Sequence, residues 1–219
     1  VHPEGNPHVH LDPHNILLVA KELNRRLSII DSKNKSFYQE QYNNFVDKWQ
    51  NSILRWNKEI ESIKGKRIII HHKSFDYLFN WLQLNEIASL EVKPGIPPTA
   101  SHLKNILENT NKSSVDIIVV SPYDPTEGAL WLSEKTQIPV VTLPYTIGGN
   151  EESNNLIALF DSSIKILQNA DEIGHGYSND AKQTNKETLT WRFFAPNVHD
   201  FAWAADPEFI HDIKKSKSG

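Results

Sequence analysis

The sequence predicts an α/β fold, in which a four-stranded parallel sheet flanked by helices follows a long helix and precedes a C-terminal tail of different character. An amphipathic helical pattern covers about residues 36–63, and four short apolar runs alternate with helical patterns over residues 66–168. A densely aromatic segment then breaks this rhythm. Strands separated by helices of about 10–15 residues are typical of βαβ units with right-handed crossovers.

Two helices are expected at the N-terminus. Asp12-Pro13 is typical of a helix start, with Asp as the N-cap and Pro in the first turn. Apolar residues then recur every three or four positions to about residue 30. Ser36 to Gln39 fits a capping box that would begin the second helix, and Gly65 would end it. A helix of about 27 residues is on the order of 40 Å long. It could therefore span one domain or connect two lobes.

Four predicted strands alternate with helices after residue 65. The strands are "KRIIIHH", "IASLEV", "VDIIVVSP" and "PVVTLPY". The helices are expected from Ser74 to Leu84, Thr99 to about Asn109, Thr126 to Gln137, and about Glu151 to Gln168. In parallel α/β sheets, ligands bind beyond the carboxyl ends of the strands. We therefore expect one edge to be lined by His71-His72, Glu91 to Pro94, Ser121 to Asp124, and Tyr145 to Gly149.

The composition excludes several function classes. The net charge is -4 and the basic residues form no long run, so no nucleic-acid partner is expected. The chain has no cysteine, and any metal site must therefore use His, Asp or Glu. No apolar run reaches the roughly 18–20 residues of a membrane span, so the chain is not expected to be membrane-spanning itself.

Histidine is the main signal of chemistry, with ten in the chain. His8 lies in a proline-flanked loop just before a capped helix, and His72 lies where a buried strand ends. Neutral imidazole is a common ligand of zinc and related ions. The alternative is that these histidines are exposed or satisfied structurally. No His-Glu-x-x-His motif or nucleophile elbow is present, so the sequence favours binding and predicts no enzyme activity.

Four stretches resemble the periplasmic zinc- and manganese-binding proteins of metal ABC importers over roughly residues 2–170. They are "GNPHVHLDPHNILLVAKELNRRL", the long helix, "IIIHHKSFDYLFNWLQL" and "IPVVTLPYTIGG". The resemblance implies two α/β lobes joined by a long rigid helix, with the metal between them. It also implies a periplasmic or extracytoplasmic location and a membrane permease of an ABC importer as partner. The transported ligand would be Zn(II), or Mn(II).

The same resemblance implies a set of metal ligands. The family's "PH" before the first helix maps onto His8, and its strand-end ligand maps onto His72, with Tyr77 downstream. The aspartate that usually follows the last strand is missing, and Thr146 stands in this region instead. The predicted metal ligands are His8, His72 and His2, with Asp124 or Glu91 as open alternatives for the remaining position.

The resemblance also predicts how the chain is organised. Residues 1–64 would be the end of the N-terminal lobe with the long helix, and most of that lobe would be absent. Residues 65–170 would be the C-terminal metal-binding lobe, and 171–219 a tail of separate origin. Residues 190–212 resemble a segment of M1 metallo-aminopeptidases without their zinc motif.

The predicted function is therefore the substrate-binding component of a divalent-metal uptake system, here as a truncated fragment. Two alternatives stay open. One is a structural or interaction module without a metal function, and the least favoured is a metallopeptidase fragment.

Overall fold

A parallel sheet forms the centre of the computed structural model, which describes residues 5–110 and 114–174. Within these residues the sheet has four strands: β1 (Arg67–Ile70), β2 (Asn85–Ser89), β3 (Ile117–Val120) and β4 (Val140–Thr142). The strand order is β2-β1-β3-β4, and every neighbouring pair is parallel. The predicted four-stranded parallel sheet is confirmed.

Helices occur at each predicted place in the described part of the chain. They are α1 (Pro13–Ile30), α2 (Lys35–Glu59), α3 (Asp76–Leu82), α4 (Ala100–Thr110), α5 (Glu127–Thr136), α6 (Leu156–Gln168) and α7 (Ala170–Gly174). Short 3-10 turns lie at Val9–Leu11, Ser32–Asn34 and Ile60–Ser62. None of the helices in the described ranges is long and apolar enough to cross a membrane.

The two faces of the sheet are covered by different helices. Successive side chains of a strand point to opposite faces, so Ile68 and Ile70 pack with the helices α1, α2, α3 and α6. Ile69, on the opposite face, packs with α4 and α5. All four residues of β3 are buried, as expected for a central strand of a sheet covered on both sides.

The second half of α2 is anchored in the core by two tryptophans. Trp49 and Trp56 are both fully buried, and their rings lie against Phe160 of α6. The Nε1–H of Trp49 donates to the carbonyl oxygen of Pro13 at 2.7 Å, and that of Trp56 donates to Asp161 at 2.5 Å. This half of α2 therefore has a fixed position against α1 and α6.

Two details of the predicted helices are wrong. Ser36 does not cap α2 but lies inside it, because the chain enters through the 3-10 turn and Asp31 accepts hydrogen bonds from Asn34 and Tyr38.

The second wrong detail concerns the start of α6. It begins at Leu156 rather than near residue 151, because Asn155 accepts from the N–H of Ala158 as N-cap. The preceding residues form a turn in which the Asn150 side chain accepts from the N–H of Ser153.

Candidate metal centre

The strand order predicts a ligand position at the carboxyl ends of β1 and β3. The strand β2 lies on one side of β1. The chain then crosses β1 to form β3 on its other side, and β4 follows on the far side of β3. Such a reversal between neighbouring strands is where ligands of open α/β sheets bind. His71 and His72 follow β1 and Ser121 follows β3, so the predicted strand-end residues flank this position.

His72 is held by a carboxylate from the neighbouring strand end. Its Nδ1 lies 2.5 Å from Oε2 of Glu91, whose side chain is 13% exposed. A carboxylate only accepts hydrogen bonds, so in a neutral His72 the proton is on Nδ1 and the lone pair on Nε2. Metal-binding histidines usually have this arrangement: one ring N–H donates to an acceptor, which orients the ring, and the other ring nitrogen binds the metal.

Glu91 is itself fixed in place. Its Oε1 accepts from the backbone N–H of Gly95 at 3.2 Å, and its own N–H donates to the carbonyl oxygen of His71 at 3.1 Å. The prediction that the residues after the first two strands meet at one edge is confirmed by these contacts.

His71, next to His72, is in a different environment. It is 1% exposed, and neither ring nitrogen has a hydrogen-bond partner within the described ranges. Its Nε2 lies 3.8 Å from Oε1 of Glu91, beyond hydrogen-bond distance. His71 therefore lies on the Oε1 side of the Glu91 carboxylate, whose Oε2 contacts His72.

His8 is brought to the end of β4 by a tyrosine. The hydroxyl of Tyr145 contacts Nδ1 of His8, and the two rings meet edge to face at 5.2 Å. On the other side, Nε2–H of His10 donates to the carbonyl oxygen of Tyr145 at 3.1 Å. Burial, with a smaller contribution from Tyr123, raises the pKa of Tyr145, so its hydroxyl is protonated at neutral pH.

Asn6 joins the loop of His8 to the loop of His72. Its Oδ1 accepts from the N–H of His8 at 3.0 Å. Its Nδ2 donates to the carbonyl oxygen of Lys73 at 3.3 Å and to Oδ2 of Asp76 at 3.2 Å. The hydroxyl of Tyr77 donates to the carbonyl oxygen of Asn6 at 3.4 Å. The two loops that carry the predicted ligands therefore lie side by side.

The other residues considered for the site are His2, Asp124 and Thr146. His2 lies outside the described residues. Oδ2 of Asp124 accepts from the N–H of Ser121 at 2.7 Å and so shapes the loop after β3. Thr146 is exposed beside Tyr145. In residues 5–110 and 114–174, no group of three or more His, Asp or Glu side chains is arranged to hold a metal ion.

Asn6 and Tyr145 make contacts with the two histidine loops that the sequence did not predict. The asparagine just before Pro7-His8 is a recognisable signal, because Asn side chains often bond a backbone N–H two residues on. Tyr145 was expected only as one of several residues at the strand edge.

The chain also matches a known protein family. The family described as "Zinc-uptake complex component A periplasmic" matches residues 1–170. The chain belongs to this family. The resemblance seen in the sequence is thereby confirmed, and the family is one of metal-uptake components rather than enzymes.

The relatives are distant. The chain is 22% identical over 204 residues to the zinc-binding lipoprotein AdcA of Streptococcus pneumoniae, covering 91% of this chain and 41% of AdcA. It is 25% identical over 143 residues to the metal ABC transporter substrate-binding lipoprotein SloC of Streptococcus mutans, covering 64% of this chain and 47% of SloC. The chain thus spans less than half the length of these two relatives.

A crystal structure of ZnuA shares the fold. It superposes with a TM-score of 0.66 at 17% identity and covers 76% of this chain and 60% of ZnuA. At this identity the likeness concerns the fold alone. The aminopeptidase-like segment at 190–212 lies outside the described residues, as does most of the 171–219 tail, and its origin stays a prediction.

Proposed function

We propose that this chain is the metal-binding part of the substrate-binding component of an ABC uptake system. Its cargo would be a divalent ion, Zn(II) in the first place and Mn(II) as the alternative. It would work in the periplasm or another extracytoplasmic space and deliver the ion to a membrane permease. Membership of the family supports this proposal, together with the names of two relatives. AdcA is a zinc-binding lipoprotein, and SloC is a metal ABC transporter substrate-binding lipoprotein.

The observation that carries the proposal is the meeting of two histidine loops at the sheet edge. We assign His8 and His72 as metal ligands, with residues 1–64 supplying the first and the lobe 65–170 the second. Each has its Nδ1 in contact with an oxygen, from Tyr145 and Glu91 respectively. Both imidazoles would then bind zinc through Nε2, with bonds of about 2.0–2.1 Å.

Further donors are needed, since structural zinc sites have four ligands. In this proposal His2 is the third protein ligand and water completes the shell. Glu91 acts behind His72 rather than on the metal, and Asp124 stabilises its loop, because their oxygens already accept those hydrogen bonds. A site with open positions holds its ion less tightly than a closed four-ligand site, which suits a protein that must release its cargo.

Zinc titration by calorimetry tests this assignment on the full chain after removal of bound metal. His8→Ala and His72→Ala should each weaken zinc binding by more than the about 10–100-fold that is typical of residues behind a ligand. His14→Ala is the matched control. His14 is 57% exposed in the first turn of α1 and bonds Asp12, so its loss should leave the affinity unchanged.

Two results would contradict the proposal. One is equal heats of zinc binding in the wild type and His72→Ala. The other is a melting temperature that does not respond to zinc. A ligand at 100 times its Kd should stabilise the folded state by about 2.7 kcal/mol. An interaction module without a metal function would show no such rise.

A further inference from the structure

We propose that Asn6 is a positioning residue of the metal centre, which sets the separation between His8 and His72. This inference rests on the proposed function, because it assigns a role to Asn6 only if both histidines bind the same ion. Asn6 would not touch the metal. It would act through the backbone of the His8 loop and through the loop that follows His72.

The first part of this role is local. Oδ1 of Asn6 accepts from the backbone N–H of His8 at 3.0 Å, which closes a turn around Pro7. The proline fixes its own backbone φ angle, and the side-chain bond fixes the residue after it. The His8 backbone is therefore held relative to Asn6 before any contact with the sheet is considered.

The second part reaches across to the other ligand. The amide group of Asn6 has two N–H donors, and the structure uses Nδ2 for two acceptors. One is the carbonyl oxygen of Lys73, the residue directly after His72, at 3.3 Å. The other is Oδ2 of Asp76 at 3.2 Å. One planar side chain thus connects the backbone of one ligand to the backbone beside the other.

Two neighbours of Asn6 strengthen this connection. Tyr77 follows Asp76 in the first turn of α3, and its hydroxyl donates to the carbonyl oxygen of Asn6 at 3.4 Å. Oδ1 of Asp76 is buried without a hydrogen-bond partner among the described residues, so the bond from Asn6 to Oδ2 is a main compensation for burying this carboxylate. Loss of such a partner is costly, because a buried acceptor is left unsatisfied.

Metal binding should be sensitive to this connection between the two loops through Asn6. His8 lies outside the sheet, so its distance from His72 depends on how the two loops are docked. Functional constellations have to be held within about 0.5 Å of their working geometry by supporting contacts. A small shift of the His8 loop would therefore leave each histidine intact and still weaken the site that they form together.

The test compares Asn6→Asp, Asn6→Ala and wild type by zinc titration and by the visible spectrum of bound Co(II). Asn6→Asp keeps the acceptor for the His8 N–H but removes both donors and places a carboxylate beside Asp76. It also adds a negative charge near the cation, which by itself would favour binding. We expect both variants to lose about 10–100-fold in zinc affinity, the usual effect of removing a supporting contact. The Co(II) bands should shift, since they report the geometry of the ligands.

Asn43→Asp is the matched control, because Asn43 is an exposed amide on α2 whose side chain, among the described residues, has a hydrogen bond only from Gln39. It should match the wild type in affinity and spectrum. If Asn6 only formed a local turn, the zinc affinity of Asn6→Asp would equal that of the wild type while that of Asn6→Ala would fall. This result would overturn the proposal. Zinc affinities within twofold of the wild type in both Asn6 variants, with unchanged Co(II) spectra, would also overturn it.

Folding and the proposed function are tested separately. Circular dichroism and melting without metal show whether the variants fold. If an Asn6 variant does not fold, Tyr77→Phe replaces it, because it keeps the ring and removes only the hydroxyl that donates to Asn6. A loss of about two- to fivefold with the same spectral shift supports the role, and no change overturns it. A wild type that binds neither zinc nor Co(II) overturns the proposed function itself.

Discussion

The loops of His72 and His8 hold their histidines by different means. His72 bonds a carboxylate that lies 19 positions later in the sequence, at the end of the neighbouring strand. His8 contacts the phenol hydroxyl of Tyr145, which lies 137 positions later, and its loop is docked from outside the sheet. His72 is thus placed by the sheet itself, and His8 by a loop that packs onto the sheet.

The difference has an energetic side. Hydrogen bonds to an ionised group are roughly twice as strong as those between neutral groups. A carboxylate behind a histidine also raises its basicity as a metal ligand. The Tyr145 phenol is neutral at pH 7, since the ordinary pKa of tyrosine is about 10 and burial raises the pKa of Tyr145 further. We therefore expect the support behind His72 to matter more for metal affinity than the support behind His8.

Removal of the Glu91 side chain should give the larger effect. Glu91→Ala takes away the acceptor that fixes the tautomer of His72, and we expect zinc affinity to fall by about 10–100-fold. Glu91→Gln should lose less, since its amide oxygen can still accept from Nδ1–H. Calorimetric zinc titration measures both, with Glu134→Gln as the unaffected control, because the Glu134 side chain on α5 is 74% exposed.

The glutamine variant also separates two roles for Glu91. A loss in Glu91→Gln as large as that in His72→Ala would make Glu91 a direct metal ligand. Unchanged affinity in Glu91→Ala would remove Glu91 from the metal centre altogether.

Removal of the Tyr145 hydroxyl should give the smaller effect. Tyr145→Phe keeps the edge-to-face packing against Phe75 but loses the contact with His8. A neutral hydrogen bond contributes about 0.5–1.5 kcal/mol, so zinc affinity should fall by about two- to tenfold. Tyr123→Phe is the control, because Tyr123 is 72% exposed and stands 6.3 Å from the Tyr145 ring. A larger loss in Tyr145→Phe than in Glu91→Ala would reverse the comparison.

The part of the site that depends on the sheet could be predicted from the sequence. Short apolar runs between helices predict parallel strands, and the carboxyl ends of parallel strands meet at one edge. His72 and Glu91 follow adjacent strands, and the structure confirms that they meet. The bounds of helices were less accurate where side-chain bonds in turns decided them, as at Asp31 and Asn155.

The part that depends on loop docking could not be predicted. The contacts of Asn6 with Lys73 and of His8 with Tyr145 join residues 67 and 137 positions apart. Irregular loops have no periodicity that indicates which surface they pack on, and these contacts depend on shape and hydrogen bonding in the folded chain. The resemblance to the family implied His8 as a ligand, but it did not show what holds His8 in place.

The most direct test of a shared metal centre is a crystal structure of the zinc-loaded full chain, with anomalous diffraction recorded at the zinc edge. We expect one strong anomalous peak bonded to Nε2 of both His8 and His72, with distances of about 2.0–2.1 Å. A peak that is bonded to only one of these histidines, or that lies elsewhere in the molecule, would contradict the assignment.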